Sequence, residues 1–395
     1  MKNPDDIVIL SYARTPLGRF LGGLSSVPAG ELGAAAIAGA LQKAGIDASQ
    51  VDEVFMGNVL QAGVGQAPAR QAAIKGGIPD SVPATTVNKV CSSGLKAVML
   101  AATQIRAGEA ELMIAGGMEN MSRAPHYYAA RQAVKLGDVK AVDGLVFDGL
   151  TDSFHHKHMG VFADITAKEY GISRKQQDEY AIRSYERAAA GWDSGFLAGE
   201  VVPVEIPQRK GEPLIIDRDE EYTNVKFDKI PKLRPVFTPD GTVTAANAST
   251  INDGGAALVI TTRRKAEALG VKPMARILSY ADAANPPQWF TTAPAKALPK
   301  AVEKAGLQLS DIDYFEVNEA FSVVALVTEK LLNLPSDRTN IYGGAVSLGH
   351  PLGVSGARIL GTLVRILHEK DARYGAVGIC NGGGGASAMV VERES

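Results

Sequence analysis

The chain repeats itself, and that limits what it can fold into more than anything else in it. Residues 40–52, Ala-Leu-Gln-Lys-Ala-Gly-Ile-Asp-Ala-Ser-Gln-Val-Asp, return at 301–313 as Ala-Val-Glu-Lys-Ala-Gly-Leu-Gln-Leu-Ser-Asp-Ile-Asp, an offset of 261 with six of thirteen positions identical. Each copy reads as a helix stopped by glycine (Gly45, Gly306), a polar turn and a short apolar strand. A second echo lies almost the same distance apart. Ser93-Gly94 opens a helix with Leu95, Val98, Met99, Ala102 and Ile105 at helical spacing, followed by a buried strand at 111–115. Ser355-Gly356 opens its counterpart at 357–367, followed by a strand at 376–379. A third echo pairs 254–260 with 384–390, and it comes about 130 residues too early for a tandem repeat. An insertion into the first half explains the shortfall. The expected organisation is an N-terminal half of residues 1–118 plus 250–270, an inserted loop domain at 119–249, and a C-terminal half at 271–395. Strands alternating with helices make both halves α/β.

Composition removes several classes of function. With 41 basic against 43 acidic residues the net charge is -2, so no whole-molecule basic field exists to gather nucleic acid. No apolar run approaches the roughly 18–20 residues of a membrane span. The opening Pro4-Asp5-Asp6 and the closing Glu394-Ser395 fit neither a secretory signal nor a peroxisomal tripeptide. Two cysteines, 289 residues apart, make neither a disulfide framework nor a structural zinc site. A reducing cytoplasm is the expected setting, with the mitochondrial matrix as the alternative for a chain trimmed of a transit peptide.

Chemistry gathers at a few turns. Cys91 follows a β-branched run read as a strand over 85–90 and stands directly before the helix at Ser93. Backbone N–H groups and the positive end of the helix dipole there favour thiolate, the nucleophilic form. A buried structural cysteine is the other reading. In the repeat register Cys91 faces Gly353, so His350, in Gly343-Gly-Ala-Val-Ser-Leu-Gly-His-Pro-Leu-Gly353, occupies the equivalent loop of the second half. A satisfied core histidine is its alternative. Cys380-Asn381-Gly-Gly-Gly-Gly385 leaves a row of N–H groups free to hold an anion, or simply packs tightly. Asn318 either positions a water at a sheet edge or caps the next helix. His155-His156-Lys157-His158 has no nearby cysteine or carboxylate to complete a metal set, and the net +3 stretch 223–234 suits a phosphate or a solvated face.

Four blocks together carry a resemblance. Asn88-Lys-Val-Cys91-Ser-Ser-Gly-Leu-Lys-Ala97, Val317-Asn-Glu-Ala-Phe321, Gly349-His350-Pro-Leu-Gly353 and Cys380-Asn-Gly-Gly-Gly-Gly-Ala386 resemble the signature blocks of the thiolases, and the resemblance runs over essentially the whole chain. Gly241-Thr-Val-Thr-Ala-Ala-Asn-Ala-Ser-Thr250 and Ala181-Ile-Arg-Ser-Tyr185 are similar to the acetoacetyl-CoA branch, especially its potassium-responsive members. The resemblance implies an α/β thiolase-like fold, two βαβαβαββ halves in a five-layered α-β-α-β-α arrangement with an inserted loop domain. It implies reversible condensation of two acetyl-CoA to acetoacetyl-CoA and CoA; a 3-ketoacyl-CoA thiolase of broader chain length is the alternative.

Residue roles carry over block by block. Cys91 would be the acylated nucleophile and Cys380 the acid/base for the α-proton. His350 would activate Cys91 and, with a water on Asn318, form one oxyanion hole; the N–H groups of Cys91 and Gly382 would form the other. His158 and Met159 would flank the pantetheine, and Tyr185, Asn224, Val225, Lys226, Lys229 and Ser249 would meet CoA. Tyr185, Ala245, Ala246, Ala248 and Val346 match a K⁺ site. No tightly bound cofactor is implied beyond CoA as co-substrate, and the implied assembly is a homodimer or homotetramer. Tyr342, His155-His156 and Trp289-Phe290-Thr291 depart from the pattern, which leaves chain-length and branched-substrate preference open.

Overall fold

The computed structural model describes residues 3–129, 131 and 135–394. Strands β1 (Ile7–Arg14), β2 (Glu53–Gly57), β3 (Ala84–Val87), β4 (Leu112–Asn120) and β5 (Asn252–Thr262) come from the first half of the chain. Strands β6 (Ala275–Ala284), β7 (Tyr314–Val317), β8 (Tyr374–Asn381) and β9 (Gly385–Arg393) come from the second. They form one mixed sheet in the order β7-β8-β9-β6-β1-β5-β4-β2-β3.

The pairing repeats between halves. β1 with β5 and β5 with β4 are antiparallel and β4 with β2 is parallel; β6 with β9, β9 with β8 and β8 with β7 follow the same scheme. The seam between halves is two residue pairs, Val8 with Arg276 and Ile9 with Ala275.

Side-chain alternation then sets the layers. Ile7 and Ile9 of β1 turn into a central cluster, while Val8 and Leu10 turn outward. The central cluster contains helices α2 (Ser93–Ala107) and α7 (Ser355–Glu369), the second echo of the repeat. Helix α1 (Ala29–Ala44) covers the outer face of the first half and α5 (Pro294–Lys304) that of the second. This is the five-layered α-β-α-β-α arrangement. The two central helices touch backbone to backbone at their first turns. A Cβ on Gly94 would stand 2.7 Å from the Gly353 carbonyl, and one on Gly356 would stand 2.5 Å from the Leu95 nitrogen, so both positions need glycine. The N-termini of α2 and α7 are thereby forced together, and each carries a motif loop directly before it.

The excursion from the first half leaves after Asn120 and returns at Asn252. β4 runs on to Asn120, where Glu119 and Asn120 still pair with Gly254 and Asp253. The strand expected over 85–90 ends at Val87 instead: Val90 has φ +48, a left-handed conformation that no β-strand accommodates. Helices α3 (Met159–Glu169), α4 (Arg174–Asp193) and, beyond the excursion, α6 (Ser322–Leu332) surround the motif loops. A fully buried ion group ties the excursion to the sheet: Arg14 at the end of β1 bonds Glu200 at 2.8 Å and Asp219 at 2.7 Å. Removing one partner from such a group costs about 3–5 kcal/mol, because a charge is left buried alone.

Candidate active site

Cys91 sits in a tight turn closed by the Ser92 N–H on the Lys89 carbonyl at 3.1 Å, with the Ser93 hydroxyl donating to the Val90 carbonyl at 2.6 Å. Val90 is β-branched, and holding it at positive φ stores on the order of 1–3 kcal/mol of strain, a kind of strain that clusters at functional turns. Half-buried Cys91, His350, Gly382, His158, Met159, Ala248 and Ser249 line one apolar cavity of about 280 Å³. The cavity is shared between halves and excursion.

His350 is buried. Its Nδ1 lies 2.6 Å from the Ser355 hydroxyl at the start of α7, and that hydroxyl also lies 3.0 Å from the Pro351 carbonyl. With its one proton donated to Pro351, Ser355 accepts from Nδ1–H. This assignment leaves Nε2, which has no protein partner, as a free acceptor at the cavity. Burial first, and then Arg358, push His350 down to about 3, so the imidazole is neutral near pH 7.

The thiol runs against the sequence expectation. Burial pushes Cys91 up to about 12, although the Gly382 N–H and its own N–H pull the other way and Glu119 adds to the rise. Desolvation outweighs the helix terminus. The resting groups are therefore thiol and neutral imidazole. Alkylation of Cys91 by iodoacetamide should thus climb by about tenfold per pH unit between pH 6 and 10, following the thiolate fraction. A plateau reached at or below pH 8 would show a preformed thiolate–imidazolium pair instead.

Cys380 closes β8 with no exposed surface, packed with Met159, Phe290, Ala320 and Phe321, which are themselves cavity walls. Burial, and then the charge of Cys91, raise its thiol well above the ordinary range. Asn318, directly after β7, is buried with neither its amide nitrogen nor its amide oxygen partnered by protein; it does not cap α6, whose N-cap is Phe321. Such an orphaned, buried amide is what holding a water requires.

The outer positions separate into three groups. His158 caps α3, accepting the Gly160 N–H at 3.1 Å, and its ring stacks on Phe237 at 4.6 Å against the cavity. Asn224, Ala245, Ala248 and Ser249 share an adjoining cleft of about 460 Å³, with Ala246 buried beside them. Tyr185 and Val346 lie in one apolar cluster, against which Val225 packs. Lys226 and Lys229 are exposed at the short helix Phe227–Lys232 and reach neither cavity. His155 bonds Asp152 at 2.8 Å, and among the described residues no group of three or more His, Cys, Asp or Glu could hold a metal ion.

Sequence reasoning passed over Glu119 and Asn252. Glu119 is fully buried and accepts from Asn58, Val59, Leu60 and, at 2.8 Å, the Gly353 N–H, so it pins the histidine loop to the first half. Burial pushes it up to about 7. Asn252 accepts the His350 N–H at 2.9 Å. A carboxylate at the end of the apolar strand 112–120 was the available signal.

Comparison with known proteins points to one family. The family model described as "Thiolase, N-terminal domain" matches residues 7–264, and "Thiolase, C-terminal domain" matches 271–393. The chain is 53% identical over 394 residues to the cytosolic acetyl-CoA acetyltransferase ERG10 of Gibberella zeae, covering 99% of each. It is 54% identical over 390 residues to the mitochondrial acetyl-CoA acetyltransferase of Danio rerio, covering 98% of this chain and 92% of the relative. It is 53% identical over 393 residues to acetyl-CoA acetyltransferase 2 of Arabidopsis thaliana, covering 99% and 98%.

Proposed function

The chain belongs to the thiolase family, and on that premise we propose that it is an acetyl-CoA C-acetyltransferase, joining two acetyl-CoA into acetoacetyl-CoA and CoA and running equally in reverse. The observation that carries this reading is the shared cavity: Cys91, His350 and Gly382 line it together, His350 Nε2 has no protein partner, and Cys380 packs behind the walls made by Met159, Phe290, Ala320 and Phe321.

The steps follow from those groups. His350 takes the Cys91 proton as the sulfur adds to the thioester carbonyl, and it returns that proton to the departing CoA sulfur. Oxygen charge on the tetrahedral intermediate meets the N–H groups of Cys91 and Gly382; losing one such donor typically costs about 2.7–4 kcal/mol. The Cys380 thiol gives its proton to His350, neutral again once CoA has left, and the thiolate so formed takes the α-proton of a second acetyl-CoA. The enolate oxygen is held by the His350 imidazolium and a water on Asn318 while its carbon attacks the acetyl group. Collapse of that adduct frees acetoacetyl-CoA and expels the Cys91 thiolate, which recovers its proton from His350. CoA enters as a co-substrate, and no tightly bound cofactor takes part. Acetyl-CoA mixed with the protein and quenched early should therefore leave one acetyl group on Cys91 with an initial burst of one equivalent of CoA, which peptide mass spectrometry and a thiol assay read; an adduct confined to other residues would overturn the reading.

His158 and Met159 flank the pantetheine in this reading, supported by the His158–Phe237 stack on the cavity wall. Asn224 and Ser249 receive the rest of CoA in the adjoining cleft, with Tyr185 and Val225 behind, and exposed Lys226 and Lys229 meet its phosphates. K⁺ is held by Tyr185 and the backbone of Ala245, Ala246, Ala248 and Val346. The support is placement: Tyr185 and Val346 share one apolar cluster, and Ala245 and Ala248 line the adjoining cleft. Activity should rise severalfold on titrating K⁺ against a choline control at constant ionic strength, and a flat response would reject the cation site.

The assembly is a homodimer or homotetramer, supported by strongly exposed apolar residues on the excursion, Leu136 at 96% and Phe154 at 70%. Two free thiols suit a reducing compartment, and the cytoplasm is the proposed setting. Among the described residues no helix is long and apolar enough to cross a membrane.

A further inference from the structure

Ser92 stands at the N-cap position of α2, where a serine hydroxyl ordinarily bonds the helix's own free N–H groups, yet it makes no capping bond. Its fully buried hydroxyl crosses to the other half instead. It lies 2.9 Å from Asn381 Oδ1 and 3.2 Å from the Ile379 carbonyl, the residues on either side of Cys380. Asn381 Nδ2 in turn donates to the Gly382 carbonyl at 2.8 Å, and Gly382 lines the cavity together with Cys91. A chain of contacts results, from the residue after one cysteine, through the residue after the other, to the glycine on the cavity wall.

We propose that Ser92 and Asn381 are positioning residues, a buried hydroxyl–amide relay that fixes the two sulfurs relative to one another and aims the Gly382 N–H at the acyl oxygen on Cys91. Neither residue exchanges a proton or a bond with substrate. The seam has a second tie, in which Lys89 and Lys96 bond Asp282 and Lys89 bonds Ser387 at 2.8 Å. That tie is part-exposed, where ion pairs are screened and worth about 0–1 kcal/mol, so it cannot replace the buried relay. Without Ser92, Asn381 Oδ1 loses its donor and its amide is free to turn, which releases the Gly382 carbonyl and so the φ/ψ rotation at that glycine, through which the preceding peptide with the Gly382 N–H is held.

The proposal rests on the acyltransferase reading, and its test separates the two. Ser92→Ala, Asn381→Leu and the double variant are assayed for kcat and KM in acetoacetyl-CoA thiolysis, for thermal stability, and for the iodoacetamide alkylation rate of Cys91. Each single variant should lose about 10- to 100-fold in kcat, less than outright removal of an oxyanion donor, with KM within about twofold. The double variant should be no slower than the poorer single, because the two act as one unit. Alkylation, which needs no acyl transfer, should slow at least about threefold in each as the Gly382 N–H leaves the sulfur. Asn381→Leu carries the test if Ser92→Ala does not fold. Folded variants with wild-type kcat and alkylation rates, losses confined to KM, or multiplicative losses in the double variant would overturn the relay. Absence of acetyl transfer in the unaltered chain would sink the acyltransferase reading, leaving the alkylation rates to judge the relay.

Discussion

Cys91→Ala is expected to abolish thiolysis of acetoacetyl-CoA, a loss of at least about 10⁴-fold, while leaving a folded protein. The size follows from what remains. His350 and the Gly382 N–H would still polarise a bound thioester, but no sulfur would be present to receive the acyl group, and direct transfer between two CoA thioesters would need both in one small cavity. Stability should change little. Alanine removes one sulfur atom that faces the cavity, so little packing is lost and the cost stays at or below about 1 kcal/mol. Alanine also keeps the helix start and leaves the strained Val90 turn in place, because the bonds of that turn come from Ser92, Ser93 and Asn88. Melting temperature, kcat and acetyl incorporation together decide the outcome. Undiminished turnover in a folded variant would remove the covalent intermediate from the mechanism.

What the sequence disclosed and what it hid divide along a physical line. The repeat predicted two related α/β halves, and the register that set Cys91 opposite Gly353 also placed His350 at the same joint; the backbone contact of Gly94 with Gly353 is that correspondence in atoms. Periodicity survives because burial of alternate residues in a strand, or of one stripe of a helix, is written into neighbouring positions. Long-range desolvation is not. Nothing local to Cys91 shows that burial outweighs two N–H donors, so the thiol expected to be acidic is held up to about 12. Nor does local sequence show that Glu119 of β4 receives the Gly353 N–H from 234 residues away, or that Ser92 bonds across the joint rather than capping its own helix. The strand that stops at Val87 failed for a related reason. β-branched residues favour strands, but the turn that presents the sulfur requires Val90 at positive φ, and tertiary context overrides local preference.

Cys380→Ser should separate the two half-reactions. The variant is expected to acetylate Cys91 from acetyl-CoA at close to the wild-type rate, since His350 and the Gly382 N–H are intact, and to fail at exchanging the α-protons of acetyl-CoA with solvent deuterium. Condensation and thiolysis should both fall by about 10²–10⁴-fold, the usual worth of a positioned general acid or base. The base is demanding because a thioester α-proton is far less acidic than a thiol of reference pKa about 8.5, so the enolate forms only if its oxygen is held as its carbon loses the proton. Burial raises the Cys380 thiol well above that reference, which makes its thiolate a stronger base and narrows the gap. Serine, which ionises less readily still, supplies almost no anion. It also sets a hydroxyl among Met159, Phe290, Ala320 and Phe321 in place of a sulfur that needs no partner, at a stability cost of about 1–3 kcal/mol if it finds no acceptor. Cys380→Ala removes that cost while still lacking the base, so equal loss of exchange in both variants assigns the defect to chemistry rather than to packing. Rapid deuterium wash-in by either variant would take the proton-transfer role away from Cys380, whatever became of the acetyl group on Cys91.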